Sequence, residues 1–179
     1  AMVELRVLFK GMTGNDVRQA MLALKDRGYY NFSVNNVEYV ADTLGGDRKV
    51  GVTVIIKQNL TGYNARGEAI YDNNAVYRLR NVDVVPNYNA AIAKSREGYF
   101  DGFDSLEYRG LNVLFSGKQP KVRPKVLRGA IPLYPNYLYN YSQVNRTYSN
   151  LMAMGYFKSA RINFTEVESD PSQQNLITL

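Results

Sequence analysis

The stretch that decides the fold is LYNYSQVNRTYSNLMAMGYFKSARINFTEVE, residues 138–168. Its first half carries three large side chains at the spacing of one helical face: Val144, Tyr148 and Leu151. Gly155 follows where a glycine closes a helix, because glycine enters the left-handed region without steric cost. The pair Tyr156–Phe157 then leads into residues 159–167, whose alternating pattern predicts a strand.

The same pattern occurs a second time near the start of the chain. The residues of this earlier copy are Val17, Met21, Leu24, Gly28, Tyr29 and Tyr30. Every spacing agrees with the later copy, which indicates an internal repeat. A helix with one apolar face must bury that face, and a small sheet is the available partner. We therefore predict that the repeated residues form the core of two similar modules.

Alternating and β-branched residues predict the strands around the first helix. The predicted strands are 3–9, 32–41 and 48–57. Residues 1–60 therefore form a β-α-β-β module in this interpretation. Residues 61–75 are polar and rich in glycine and asparagine, so we predict a linker there.

The second predicted module spans residues 76–179 and begins with a strand at 76–85, which Pro86 ends. Residues 87–140 are predicted to be a long insert, in which the runs 111–115 and 126–131 form a hairpin. A last strand begins at Leu176 and is truncated. The predicted fold is thus α+β: two tandem modules, each a small three-stranded mixed sheet packed against helix.

The pattern of helix, glycine, aromatic pair and two strands resembles the POTRA domain of the Omp85 superfamily of outer-membrane assembly proteins. Residues 138–168 fit best, and Arg123–Ile131 (RPKVLRGAI) resembles the segment before them. The tyrosine-rich insert is similar to BamA/TamA-like proteins of Bacteroidetes. The usual POTRA unit has two helices between its first and second strands, whereas each copy here shows one clear helix.

This resemblance implies a monomeric, non-catalytic periplasmic arm that precedes a C-terminal β-barrel in the full-length protein. Its partners would be unfolded outer-membrane proteins or accessory assembly subunits, and no nucleic acid. Binding would occur by β-augmentation, in which an extended partner pairs with an open sheet edge. The strand after each helix is the expected edge. The candidate contact residues are Phe32, Val34, Tyr39, Arg161, Asn163 and Thr165.

The composition restricts the kinds of catalytic and metal site that the chain can form, because it has no Cys, no His and no Trp. A thiolate nucleophile, a Cys-ligated metal and a Ser-His-Asp triad are therefore excluded. The carboxylates of Asp101, Asp104 and Glu107 match no metal-ligand spacing. We expect no catalytic residues, metal or cofactor.

The positive charge of the chain leaves more than one functional class open. The net charge is +6, and its densest stretch is Lys118–Arg128, which is either a solvated basic hairpin or a site for phosphate or lipid head groups. The segment REGYFDGF, residues 96–103, faintly resembles an RNA-binding motif, although it lacks that motif's closing valine and aromatic residue. An adhesin or structural envelope domain is the remaining alternative.

Tyrosines are concentrated in the predicted insert and the helix after it. They are Tyr88, Tyr99, Tyr108, Tyr134, Tyr137, Tyr139, Tyr141 and Tyr148. Tyrosine is amphipathic and common at contact surfaces. These side chains either form a surface that faces a partner or the barrel, or they pack the insert onto its own module.

Overall fold

The structure is a computed structural model, and it describes residues 3–5, 14–42, 51–72, 74–167 and 176–178. The chain divides into two units, Ala1–Val76 and Tyr77–Leu179. Both combine short strands with helices, so the predicted α+β class is confirmed. That the units are two copies of one module stays a prediction.

The first unit contains a three-stranded sheet. Its strands are β1 (Val3–Leu5), β2 (Val37–Asp42) and β3 (Gly51–Ile56), in the spatial order β1-β3-β2. The central strand β3 runs antiparallel to both neighbours, with Val3 and Val37 both opposite Ile56. The prediction of a mixed sheet is therefore wrong for this unit.

The first helix, α1, spans Gly14–Lys25. Met21 and Leu24 are half-buried, while the side chain of Val17 lies outside the described residues. Gly28 follows the helix with a φ of 99°, in the left-handed region that favours glycine. It is buried, and Tyr29 beside it is half-buried. The predicted glycine closure is present.

The predicted strand 32–41 is wrong in its first half, because Val34–Asn36 forms a 3-10 turn. The Asn36 side-chain oxygen accepts hydrogen bonds from the Ser33 backbone N–H (2.8 Å) and from its hydroxyl (2.9 Å). Short polar side chains of this kind offer the backbone an alternative to pairing in a sheet. The sequence favoured a strand because apolar residues such as Phe32, Val34 and Val37 are frequent in this stretch.

The residues predicted as a linker include a two-stranded hairpin. Its strands are β4 (Asn59–Tyr63) and β5 (Ala69–Asp72), and they are antiparallel. The Asn64 side-chain oxygen accepts the N–H groups of Arg66 and Glu68, each at 2.9 Å. Gly67 has a φ of 78°. An asparagine followed by a left-handed glycine is a turn signal, so the polar composition here indicates a tight turn.

Hydrogen bonds of asparagine side chains connect this hairpin to Asn36, which precedes β2, and to Lys57, which follows β3. The Asn36 side-chain amide donates to the Asn59 oxygen at 2.6 Å, and Asn59 donates to Asn74 at 3.0 Å. Asn74 in turn donates to the Lys57 carbonyl at 3.0 Å. Asn36 is only 4% exposed, so these partners satisfy a polar group that would be costly to bury alone.

The second unit contains nine of the elements that the structure describes. They are β6 (Arg78–Leu79), β7 (Asp83–Val84), α2 (Ala90–Ser95), β8 (Asp104–Tyr108), β9 (Leu111–Phe115), α3 (Pro124–Ala130), α4 (Tyr141–Ala153), β10 (Thr165–Val167) and β11 (Leu176–Thr178). The predicted strand 76–85 is thus divided, and its halves β6 and β7 belong to different sheets.

One sheet of the second unit has the order β7-β9-β8. Its hairpin joins β8 to β9 through Arg109 and Gly110, which both have positive φ values. The side chains of β9 alternate, and Leu111, Val113 and Phe115 point into the core. The predicted hairpin between 111–115 and 126–131 is wrong, because the second of these runs is helical.

The helix α3 forms where a strand was predicted. Pro124 lies in its first turn, where a missing N–H costs nothing. Leu127, Ala130 and Ile131 are buried at helical spacing, and α3 packs against α4, β8 and β9. Residues 87–140 therefore supply much of the core of this unit. Among the residues of the second unit whose burial the structure describes, the buried apolar ones are Tyr77, Leu79, Val82, Leu111, Val113, Phe115, Val122, Leu127, Ala130, Ile131, Leu133 and Tyr139.

The other sheet of the second unit has the order β10-β11-β6. Its central strand β11 is antiparallel to β10 and parallel to β6, so this sheet is mixed, as predicted. On the other side of β6, the Leu79 N–H donates to the Tyr137 carbonyl at 2.9 Å. Only the last three residues of the predicted strand 159–167 are in the sheet.

The helix α4 begins after Asn140, whose side chain accepts the Gln143 N–H at 2.8 Å, and Gly155 follows it with a φ of 66°. Val144, Leu151 and Phe157 are half-buried. Tyr148 and Tyr156 are 48% and 55% exposed, so their predicted place in the core is wrong. Thr147 takes the buried position instead, and its hydroxyl donates to the Gln143 carbonyl. Together α3 and α4 give two helices between β9 and β10, where the sequence showed one.

Candidate functional site

The strand β2 lies at an edge of its sheet, because only β3 pairs with it among the described residues. Tyr39 and Val40 are adjacent in β2 and are 42% and 46% exposed. Successive side chains of a strand point to opposite faces, so neither face of the strand is fully covered here. An edge with open backbone groups and exposed apolar side chains is a template for pairing with another chain.

A charged pair lies beside this edge. The Glu38 carboxylate and the Lys57 ammonium are 2.5 Å apart, and both side chains are about half exposed. Solvent screens such a pair, and it adds less than about 1 kcal/mol to stability. Charges on an edge strand oppose uncontrolled association, so Glu38 would limit which strands can pair with β2.

Two residues predicted for this edge lie elsewhere. Phe32 is only 3% exposed and precedes the 3-10 turn, so it belongs to the core of the first unit. Val34 is 62% exposed but lies in the 3-10 turn itself. Of the three residues predicted here, only Tyr39 lies in the edge strand.

The strand β10 is also at an edge of its sheet. Thr165 is its first residue and is exposed. Arg161 and Asn163 are exposed as well, but they lie in the irregular segment before the strand. Three residues span about 10 Å, whereas the six residues of β2 span about 20 Å. The longer edge offers more backbone groups to a partner.

Four aromatic rings contact one another in the segment between β7 and β8. They belong to Tyr88, Tyr99, Phe100 and Phe103, with centroid distances from 5.1 to 6.4 Å. The Tyr99 hydroxyl accepts the Asn89 N–H at 2.9 Å, and Tyr88 and Phe100 are about half exposed. Residues 96–103, the part predicted to resemble an RNA-binding motif, consist of turns. They therefore lack the strand that such a motif requires.

The predicted tyrosine surface divides into buried and exposed members. Tyr139 is 4% exposed and its ring lies 5.3 Å from that of Phe164, so it packs the module. Tyr134 and Tyr137 are 42% and 67% exposed, and their rings are 5.6 Å apart. The packing interpretation therefore holds for Tyr139, and a role of the exposed tyrosines in facing a partner or the barrel stays a prediction.

Sequence reasoning missed the buried cation of the second unit. The Arg128 side chain is 8% exposed, and its guanidinium carbon lies 4.0 Å from the centre of the Tyr134 ring. One nitrogen, Nη2, donates to the Leu133 carbonyl at 2.7 Å, while Nε and Nη1 are buried without a partner in the described residues. Burial lowers the pKa of Arg128 from its ordinary value, and Tyr134 acts weakly in the opposite direction. The only sequence signal was a basic residue at helical spacing from buried apolar ones.

The described residues contain no group of three or more acidic, histidine or cysteine side chains that could hold a metal ion. Asp101, Asp104 and Glu107 are exposed, in a turn and in β8. Among the helices that the structure describes, none has the length and apolar character needed to cross a bilayer.

Comparisons with known proteins bear on the second unit. Residues 110–179 match the POTRA family, described as a surface antigen variable number repeat. No curated protein sequence matches the chain significantly.

Two solved structures are similar to the chain. One is a crystal structure of BamA POTRA3-5 from Haemophilus influenzae, with 12% identity over 97% of this chain and 83% of that chain, at a TM-score of 0.24. The other is the N-terminal domain of Omp85 from the thermophilic cyanobacterium Thermosynechococcus elongatus, with 13% identity over 94% and 84%, at a TM-score of 0.23. We base no conclusion on these likenesses, because both TM-scores are low.

The matched residues contain β9, α3, α4, β10 and β11. Two helices, α3 and α4, precede the strands β10 and β11, and two helices before the second strand are expected of a POTRA unit, including the second helix that the sequence alone did not reveal. The predicted resemblance is therefore confirmed for this part of the chain, because residues 110–179 match the POTRA family.

Proposed function

We propose that this chain is a periplasmic, non-catalytic arm of an Omp85-superfamily factor that assembles β-barrel proteins in the outer membrane. In this role it binds unfolded clients or accessory subunits, and a β-barrel follows it in the full-length protein. The observation that carries the proposal is the POTRA match over residues 110–179.

We further propose that the first unit is a second module of the same kind. Its sheet has the order first strand, third strand, second strand (β1-β3-β2), and the sheet β6-β11-β10 has the same order. Each has a helix closed by a left-handed glycine, Gly28 or Gly155, before its second strand. The first strand is antiparallel to the central one in the first unit and parallel in the second.

The proposed binding mode is β-augmentation at the edge strand β2. Six residues of β2 pair with β3, so its outer side can offer alternate backbone groups to an extended client. Backbone hydrogen bonds need no particular client sequence, which suits a factor that handles many clients. The exposed side chains of Tyr39 and Val40 would add apolar contacts on both faces.

Proline substitutions at adjacent positions test this mode. In an antiparallel edge strand, one residue of each neighbouring pair points its N–H at the paired strand and the next points it outward. Of Tyr39→Pro and Val40→Pro, one variant should therefore lose stability. The other should keep its fold and lose binding, because proline cannot donate to an added strand.

The measurement is binding of an outer-membrane β-barrel protein that has been unfolded in urea and then diluted. Circular dichroism checks that each variant is folded. Val34→Pro is the matched control, since Val34 begins a 3-10 turn, where proline is tolerated. If the folded edge variant binds the client as tightly as the unaltered chain, β2 is not the binding edge.

A further inference from the structure

The positive charge of the chain is concentrated in the second unit. Residues 108–165 contain nine basic side chains and not one acidic side chain. The whole chain has 22 basic and 16 acidic residues, so the remainder holds 13 basic and 16 acidic ones. The net charge of +6 therefore arises entirely from this stretch.

Four of these cations lie close together around the start of α3. Lys118, Lys121, Arg123 and Lys125 are all exposed, and none forms an ion pair with a residue that the structure describes. Between them, Val122 is 7% exposed and anchors the segment in the core. The segment is thus held in place while its charges face solvent without an ion-pair partner among the residues that the structure describes.

Apolar and aromatic side chains border the same helix. Val126 is 47% exposed on the outer side of α3, where Gly129 adds no side chain to cover it. At the other end of the helix, Tyr134 covers Arg128 and contacts Tyr137, which is 67% exposed. Seven helical residues span about 10 Å, so only this short helix separates the cations at its start from the tyrosines after its end.

We propose that this surface, the α3 patch, docks on an anionic lipid bilayer. We define the patch by Lys118, Lys121, Arg123, Lys125, Val126, Tyr134 and Tyr137. The patch is separate from the β2 edge, so it adds a second contact to the function proposed above and does not depend on it.

The composition of the α3 patch favours lipid over an acidic protein. Unpaired lysines and arginines are drawn to a sheet of negative head groups, without the need for fixed partner positions. Tyrosine concentrates at the level of the head groups, where its ring is apolar and its hydroxyl stays hydrated. An exposed valine next to the cations suits shallow insertion at that boundary.

The test is co-sedimentation of the full 179-residue chain with vesicles. One set contains phosphatidylglycerol mixed with phosphatidylcholine, and the other contains phosphatidylcholine alone. We expect binding to the first set only, and we expect added salt to weaken it by screening. Soluble poly-glutamate serves as a protein-like polyanion and should bind far more weakly than the vesicles.

Matched variants distinguish the effect of the α3 patch on vesicle binding from the effect of net charge. The patch variant replaces Lys118, Lys121, Arg123 and Lys125 with Gln, which lowers the net charge by four. The control variant replaces four exposed cations elsewhere with Gln: Arg18, Arg27, Arg66 and Lys94. We expect the patch variant to bind vesicles roughly 1,000-fold more weakly, and the control variant to keep most of its binding.

The variant Tyr137→Ser tests the aromatic part, and it should weaken vesicle binding without changing the weak binding of poly-glutamate. Single substitution Lys121→Gln provides a milder charge change if the fourfold variant loses its circular dichroism spectrum. Equal losses in patch and control variants would overturn the proposal, and so would equal binding to neutral vesicles. Tighter binding to poly-glutamate than to vesicles would assign the surface to an acidic protein instead.

Discussion

Leu127 and Val126 are neighbours in α3 with opposite environments, since Leu127 is 0% and Val126 is 47% exposed. Leu127→Ala should lower the free energy of unfolding by about 2–5 kcal/mol, because it removes packed methyl groups and leaves a cavity. Val126→Ala should change it by less than about 0.5 kcal/mol. Urea unfolding measures both, and similar losses would mean that α3 does not face the core as described.

Substitutions of Arg128 test whether the charge or the packed volume of this buried side chain determines the free energy of unfolding. Its Nε and Nη1 atoms have no acceptor in the described residues, so the charge is a cost that packing and the Tyr134 ring offset. Arg128→Met should change the free energy of unfolding by less than about 1 kcal/mol, or raise it. Arg128→Ala should lower it by about 2–4 kcal/mol, because it leaves a cavity.

The sign of the pKa shift agrees with that expectation. A cation whose pKa is lowered in the folded state destabilises the fold wherever it is protonated, and stability rises as the pH passes upward through the folded pKa. Arginine remains charged throughout the neutral range, so the difference between Met and Arg should not vary with pH there. An Arg128→Met variant as unstable as Arg128→Ala would show that an acceptor compensates the charge.

At the scale of single elements, two glycines near the POTRA helices form a matched pair. Gly155 follows α4 with a φ of 66°, whereas Gly129 lies inside α3, and an added Cβ would meet nothing within 4 Å at either position. Gly155→Ala should therefore cost about 1–2 kcal/mol through backbone strain alone. Gly129→Ala should stabilise by about 0.5–1 kcal/mol through helix propensity.

Thermal unfolding of the two glycine variants gives both values, with the unaltered chain as reference. Opposite signs are expected, and a stabilising Gly155→Ala would contradict the left-handed closure of α4. That closure is the feature on which the repeat in the sequence depends, because the same spacing leads to Gly28.

The elements that the sequence predicted well are the helices in which apolar residues recur at helical spacing over several turns. Both repeated helices and their closing glycines are where the spacing put them. The sequence predicts a strand at 126–131, where the structure has a helix, because VLRGAI is short and a short apolar run does not separate helix from strand. The turn at Val34–Asn36 was missed because its cause is one asparagine side chain that bonds back to Ser33.

At the scale of the whole molecule, the second unit has a described core of its own. Buried apolar side chains such as Leu79, Leu111 and Leu127 belong to Tyr77–Leu179. We therefore expect residues 77–179 to fold alone with a cooperative thermal transition. Circular dichroism and amide exchange of that fragment check this, and a fragment without cooperative unfolding would show that the second unit needs the first.

The candidate site was predictable in part. The rule that the strand after the helix lies at a sheet edge gives β2 and β10, and the structure has both at edges. The side chains were harder to place, since Phe32 is buried and Arg161 and Asn163 lie outside β10. Burial depends on contacts between distant parts of the chain, which alternation along one strand does not encode.

The measurement that tests the central claim most directly is amide hydrogen exchange with and without an unfolded outer-membrane β-barrel protein. Augmentation pairs outward N–H groups with the client, so we predict slower exchange at alternate residues of β2, Val37–Asp42. Saturating client with unchanged exchange at β2 and β10 would contradict binding by β-augmentation at these edges.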